Sequence, residues 1–339
     1  MRLGVLVPCR DEAAAIGRKV ADLAAARWPA AAGGHQVLVV DDGSVDGTAA
    51  LALDAAARSP AREDVRFSVV PNRVRPGKPG AVQAGIEALD GRVDLIVLTD
   101  ADVVIEPGSL EALARAFESD ARLAMACGAQ RFVRALAEMP LADASEPFDR
   151  WTARVRRLES RFGALFSVHG QLLAWRAELR LRPRAGIAAD DLDLMLQVRA
   201  RAGPPRCVAI APGAVFLERK TPAGPERRAQ AMRRARAYVQ LVRSDPPLPP
   251  DALSRLQWAA YRVLPLAAPA LTAAVPLAAT AIAWLALGAG AGGACLLFFA
   301  LLFTSRPGWR WAKLAMLIRD AARREAEVPL PERWTVARR

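Results

Sequence analysis

Asp100-Ala101-Asp102 directly follows the apolar run Leu95–Leu98. Two carboxylates one residue apart at the end of a strand can converge on one hard cation. Mg²⁺ or Mn²⁺ takes carboxylate oxygens while keeping positions for water and diphosphate oxygens. Such a cation would neutralise the charge that grows on a departing diphosphate. Asp-x-Asp by itself is a weak signal, because exposed loop aspartates are common. Its place after a buried strand makes it worth following.

Three further clusters have chemistry-bearing residues. Asp41-Asp42-Gly43-Ser44 follows Val37–Val40. Ser44 or Asp46 can cap the next helix, which leaves Asp42 to accept the imide N–H of a uracil ring. Pro8-Cys9-Arg10-Asp11-Glu12 puts acids where a helix dipole favours them, so capping and ligand contact are equally open. Arg75-Pro-Gly-Lys78-Pro-Gly80 leads into a helix, and its backbone N–H groups with Lys78 suit an anion.

These clusters need elements to hold them on one edge. Strands are expected at Leu3–Pro8, Gln36–Asp41, Arg66–Val70 and Asp94–Thr99, alternating with helices at Asp11–Arg27, Asp46–Arg58, Pro79–Leu89 and Pro107–Ser119. That alternation, with nearly continuous apolar strands, predicts an α/β fold with a mostly parallel sheet covered by helices on both faces. Ligands then bind beyond the carboxyl ends of the strands, where the polar clusters fall. Residues 131–245 alternate less cleanly. Helices are expected at Asp149–Phe166, Asp190–Arg201 and Glu226–Arg243, and a strand at Val168–Trp175.

The chain has 339 residues and a net charge of +12, carried almost wholly by arginine. A basic balance fits nucleic acid, an anionic membrane face or a phosphate-bearing substrate, and an Arg- and Ala-rich composition also has a bland genomic cause. The four cysteines form no C-x-x-C pair, so neither a thiolate metal site nor a disulfide framework is expected. The first apolar run is too short for a signal peptide, which predicts a cytosolic first domain.

Val263 to Ser305 contains no charged residue. At ~20 residues per crossing it fits two transmembrane helices bent at Gly288–Gly293. Arg255 and Arg262 on one side, and Arg306, Arg310 and Lys313 on the other, predict that both ends are cytoplasmic. Pro265, Pro269 and Pro276 favour the competing reading, a pair of buried core helices. The expected division is a cytosolic domain over 1–245, a linker over 246–262, a transmembrane hairpin over 263–305 and a basic interfacial tail over 306–339.

The ordered set Val-Pro-Cys-Arg-Asp-Glu, Val-Val-Asp-Asp-Gly-Ser, Gly-Lys-Pro-Gly-Ala-Val and Leu-Thr-Asp-Ala-Asp resembles glycosyltransferase family 2 on the GT-A fold, over roughly residues 3–245. The resemblance implies that Pro8, Arg10, Glu12, Asp41, Asp42 and Lys78 line a nucleotide-sugar pocket, and that Asp100 and Asp102 handle metal and diphosphate. His169-Gly170 through Arg176 resembles the family's acceptor segment, which implicates Gly170 and Arg176. Ala189-Asp190-Asp191 resembles the Thr-Glu-Asp motif, placing the catalytic base on Asp191 with Asp190 orienting it. Gln230-Ala-Met-Arg233-Arg234 resembles Gln-x-x-Arg-Trp of membrane-bound members, in which Gln230 and Arg233 close over the diphosphate. Arg234 replaces the Trp implied to hold the acceptor sugar, which argues against processive synthesis.

The expectation is an inverting transfer of a single sugar, from a UDP-sugar donor to a membrane lipid or lipid-linked acceptor. It would take place at the cytoplasmic face of the inner membrane, with Mg²⁺ or Mn²⁺ and without nucleic acid. A non-catalytic membrane-tethered binding or scaffold protein, and a component of a processive polysaccharide synthase, stay open at this point. The missing G-x-G-x-x-G after the first strand disfavours a dinucleotide oxidoreductase.

Overall fold

The computed structural model describes residues 1–59, 62–136, 142–202, 207–328 and 330. Residues 1–223 and 246–254 form one compact unit; 224–245 and 255–330 form another.

In the first unit, strands β1 (Leu3–Cys9), β2 (His35–Asp41), β3 (Val65–Pro71) and β4 (Leu95–Leu98) alternate with helices α1 (Ala13–Ala25), α2 (Thr48–Arg58) and α3 (Lys78–Leu89). These strands pair in parallel, in the order β3-β2-β1-β4. Both faces are buried, and β1 shows why its sequence is apolar throughout. Leu3, Val5 and Val7 join the core with Ile16, Val20 and Leu113, while Leu6 packs on Gly85 of α3 on the other face.

Beyond β4 the sheet turns mixed. β5 (Val104–Ile105), α4 (Ser109–Ser119), β6 (Met125–Val133), α5 (Pro147–Arg161), β7 (Leu173–Arg176), α6 (Asp190–Arg201) and β8 (Val208–Arg219) complete an eight-stranded sheet ordered β3-β2-β1-β4-β7-β6-β8-β5. β7 runs antiparallel to both β4 and β6. β6 pairs with β8 in parallel again, so four of the seven pairings among the described residues are parallel and the sheet is mostly parallel with a mixed second half. Three strands were not anticipated, β5, β6 and β8; β8 contains Pro212-Gly213, which reads as a turn. Gly213 has φ +81° and sits where the β6–β8 register shifts, so this dipeptide makes a bulge, not a chain reversal.

The second unit holds α7 (Pro225–Arg243), α8 (Ala252–Leu287) from Arg255 onward, α9 (Ala289–Thr304) and α10 (Arg306–Glu327). Helix α7 packs against α10 through Ala235, Val239, Ile318 and Ala321, and Arg236 Nε lies 3.2 Å from Glu325 Oε2. The segment read as a linker is helical from Ala252 onward. Among the described residues only α8 is long and apolar enough by itself to cross a membrane. Helix α9, with 16 residues, extends about 24 Å, short of the ~30 Å hydrocarbon core. It meets the same criterion only when joined to α10 across a bend. None of the apolar window of α8 is buried, which departs from the core-helix alternative, and its prolines lie inside the helix.

Candidate active site

The carboxyl ends of β1, β2 and β4 bring the sequence-selected clusters to one edge. Pro8 is buried within β1 beside Val40. Asp42 is also buried, and both its oxygens are engaged. Asn72 Nδ2 donates to Oδ1 at 2.6 Å, the Gly77 N–H donates to Oδ2 at 2.8 Å, and Arg10 Nη1 lies 3.6 Å from Oδ2. Gly77 has φ +106°, a conformation that suits glycine and turns this N–H onto the carboxylate. Asp42 therefore organises the loop ahead of α3 as well as facing the site.

The β1 and β2 loops are cross-linked by further short bonds. Ser44 donates through its hydroxyl and backbone N–H to Asp41. Asp11 takes an N–H from Val45 and gives its own to the Ser44 hydroxyl, at 2.9 Å each, with φ +53°. Glu12 starts α1 and gives its N–H to the Thr48 hydroxyl at 2.8 Å. Asp46 accepts from Ala13 of α1 and from Thr48 of α2, capping two helices at once. Desolvation raises the Asp46 pKa, but the bonds from Thr48 and Ala13 outweigh it and leave a net depression.

Antiparallel pairing of β7 with β4 explains the other half. Leu98 faces Leu173, so the chain just before β7 lies beside the Asp100 end of β4, and the Thr99 hydroxyl donates to the Gln171 carbonyl at 2.8 Å. Gly170 presents its N–H to Asp191 Oδ2 at 3.2 Å, and a side chain there would meet Asp191 Cβ at 3.2 Å. The other Asp191 oxygen accepts from the Leu192 N–H at 2.8 Å. Gly170, not Asp190, thus orients the expected base. Fully buried Asp193 fixes the loop before α6, accepting from Arg184 and from Gln197.

Lys78 joins the two halves. Its Nζ donates to Asp100 Oδ1 at 2.6 Å. Desolvation pulls its pKa down, but Asp100, Asp190 and Asp191 more than reverse this, so the ammonium stays charged. Asp190 is 5 % exposed, and among the described residues its Oδ2 has no hydrogen-bond partner. Burial raises its pKa; Lys78 opposes the shift, while Asp191 and Asp100 add to it.

Two buried cations escaped the sequence reading. Lys19 is 1 % exposed and donates to the Thr99 hydroxyl at 2.9 Å, directly before Asp100. Burial lowers its pKa to about 7 against the pull of Asp22 and Asp100. Buried Arg156 of α5 donates through Nε to the Ser167 carbonyl at 2.6 Å, and its Nη1 meets His169 Nε2. Composition held a faint signal for Lys19, since the chain has only four lysines among its 47 basic residues. Nothing local marked Arg156.

Arg176 does not belong to this constellation. It pairs with Leu95 at the opposite end of β4, where Nε donates to the Leu123 carbonyl at 2.8 Å and Nη2 to the Phe117 carbonyl at 3.1 Å. It closes the end of α4, so the acceptor contact expected of it gives way to a structural role. Gln230 and Arg233 lie on α7, in the other unit.

A divalent cation suits the oxygen-only donors Asp100 and Asp102, and Asp190, which interacts electrostatically with Asp100, has an Oδ2 without a hydrogen-bond partner among the described residues. Among the described residues no three of His, Cys, Asp and Glu converge as a complete ligand set. A metal on Asp100 and Asp102 would complete its shell from water and ligand oxygens.

No curated protein sequence matches the chain. Among solved structures it is similar to the mannosyltransferase PcManGT of Pyrobaculum calidifontis, in complex with GDP-Man and Mn²⁺. That match has 23% identity and a TM-score of 0.66, over 96% of this chain and 87% of that one. It is also similar to residues 1–349 of TarS from S. aureus in complex with UDP-GlcNAc, at 16% identity and TM-score 0.50, over 96% and 92%. At these identities the likeness shows the fold, which is that of the GT-A glycosyltransferases. The family model described as glycosyltransferase-like family 2 matches residues 2–237, and the chain belongs to that family of glycosyltransferases.

Proposed function

We propose that this enzyme transfers a single sugar, with inversion, from a UDP-sugar to a membrane lipid or lipid-linked acceptor at the cytoplasmic face of the inner membrane. The reading is carried by Lys78 Nζ, 2.6 Å from Asp100 Oδ1 and held charged by Asp190 and Asp191 as well. The cation thus bonds the Asp-x-Asp end of β4 and interacts electrostatically with the first-turn acids of α6. A donor diphosphate beside Lys78 would place its sugar toward Asp191.

Asp191 is the base in this reading. The acceptor hydroxyl gives its proton to the carboxylate, its oxygen forms the new bond to the anomeric carbon, and the bond from that carbon to the diphosphate oxygen breaks with its electron pair leaving on the diphosphate. The Gly170 and Leu192 N–H groups fix the Asp191 rotamer, so the base is aimed before the acceptor arrives. Lys78 offsets negative charge as the diphosphate departs, and the Asp42–Gly77–Asn72 network holds the loop that carries it. Mg²⁺ or Mn²⁺ on Asp100 and Asp102 would supply Lewis-acid stabilisation of the same leaving group. The exposed apolar length of α8 and the charge-free sequence around it support a membrane address for the acceptor.

The test is a thermal-shift panel of nucleoside diphosphates and sugar nucleotides, with and without Mn²⁺. A UDP-sugar at a hundredfold excess over its Kd should stabilise the protein by about 2.7 kcal/mol, and only with metal. Asp102→Ala should lose that stabilisation. Unchanged nucleotide affinity in this variant would remove the metal assignment.

A further inference from the structure

Helix α5 is built inside out. Its inward side holds polar and charged groups. Arg156 reaches Ser167 and His169, Asp149 pairs with Lys220, and the Ser160 hydroxyl accepts the Ile210 N–H at 2.8 Å. Its outward side is apolar. Phe148, Trp151, Leu158 and the capping Phe162 are 54 %, 59 %, 56 % and 64 % exposed, and Val155 completes their row. The spacing of three and four residues aligns them as one stripe. Phe148 and Trp151 stack at 6.3 Å between ring centroids. Exposing four large apolar side chains in one row costs free energy in water, and such rows mark interaction sites.

What borders the stripe identifies its partner. Arg150, Arg154, Arg157 and Arg161 recur at the same spacing along one flank, and all four are exposed. Arg150 shares Asp143 at 3.5 Å. No acidic residue lies in the stripe or in the arginine row; Asp149 and Glu159, the acids of this helix, turn to Lys220 and to the Phe166 N–H. An apolar stripe flanked by a row of cations complements a bilayer surface, with hydrocarbon under the stripe and anionic headgroups beside it.

We propose that α5 lies in the interface of an anionic membrane, Phe148, Trp151, Val155, Leu158 and Phe162 inserted and the arginine row on lipid phosphates. The helix is therefore a second membrane contact, made by the sugar-transfer unit itself. Its inward residue Arg156 touches His169, whose neighbour Gly170 holds Asp191, so seating this helix sets the proposed base next to lipid headgroups. The surface contact is independent of the transfer reading; the lipid nature of the acceptor is what it deepens.

The test uses the full chain in vesicles, with Cys295→Ala removing the one thiol not buried. An environment-sensitive fluorophore on Leu158→Cys is compared with one on Leu53→Cys, equally exposed at 56 % but on α2, at the β3 end of the sheet. The Leu158 label should shift to the blue and be quenched by brominated lipid in phosphatidylglycerol vesicles, and less so in phosphatidylcholine, while the Leu53 label stays aqueous. Arg154→Glu/Arg157→Glu/Arg161→Glu should erase the phosphatidylglycerol preference. A Leu158 label as aqueous as the Leu53 label in both lipids overturns the proposal. So does burial of that label in lipid-free protein, which would mean a protein partner or self-association. Metal-dependent sugar-nucleotide hydrolysis, read on the same samples in detergent, reports separately on the catalytic reading.

Discussion

The loops after β1 and β2, and opposite them the chain before β7 with the start of α6, meet at one sheet edge, yet they treat their acids in opposite ways. On the first side Asp42 receives two N–H groups and a guanidinium, and Asp46 caps two helices. Ionisation there is met by fixed donors, as suits a cradle assembled before its ligand arrives. On the second side Asp190 is buried with one oxygen that has no partner among the described residues, and its charge is opposed chiefly by Lys78, with a lesser contribution from a backbone hydrogen bond. The pocket is thus rigid where a nucleotide would rest and electrostatically unfinished where chemistry would occur.

The strongest way to break this contrast is at Asp191. Asp191→Asn keeps the shape and the N–H contacts from Gly170 in part, but removes the proposed base. Transfer should fall by at least ~10²–10⁴-fold while sugar-nucleotide affinity stays within a factor of two or so. Retained turnover, measured by product formation under saturating donor, would move the base elsewhere.

The next effect compares two aspartates directly. Asp42→Ala takes the acceptor from one Asn72 amide N–H, leaving its bond to the Arg75 carbonyl, and from the Gly77 N–H, so denaturant unfolding should show a loss of about 2–3 kcal/mol, and nucleotide affinity should fall with it. Asp190→Asn should do the reverse. Because burial raises the Asp190 pKa, the folded state binds its proton more tightly than the unfolded state, and stability falls as pH climbs from the ordinary carboxylate range through the raised value. The amide lacks that fall, so the variant should gain on the wild type as pH rises. Equal destabilisation by both substitutions would erase the distinction between the two sides.

Sequence carried much of the first side because its determinants are local. A buried parallel strand, a turn of Asp-Gly-Ser and a helix start are each written in consecutive residues, and β1 to β4 follow. The second side depends on register. Arg176 lies only six residues from Gly170, yet β7 carries it to the far end of β4. Strand β6 passes from apolar Met125-Ala-Cys127 into Gln130-Arg131, and β8 is split by Pro212-Gly213, so the uninterrupted apolar run that marked the others is broken in both. The burial of Arg156 and Lys19 is a tertiary event that no local pattern records. Asp191 could be nominated only through a motif at the start of a helix, and its hydrogen-bond partner Gly170 comes from a separate segment.

Lys19 offers the finest measurement of the contrast, since it is the buried cation behind the strand that ends at Asp100. Its pKa falls from 10.5 in the unfolded chain to about 7. Between these values the unfolded state binds more protons, so stability should rise with pH across that window, by at most about 1.4 kcal/mol per pH unit, and level off above it. Lys19→Met should flatten the rise and be more stable than the wild type near pH 7, with the difference shrinking toward pH 10.5. Comparing the two proteins at each pH cancels the titration of all other groups. If the slopes match, the Thr99 hydroxyl and the field of Asp22 and Asp100 already hold the ammonium at its ordinary pKa, and the region behind Asp100 is as fully compensated as the Asp42 loop.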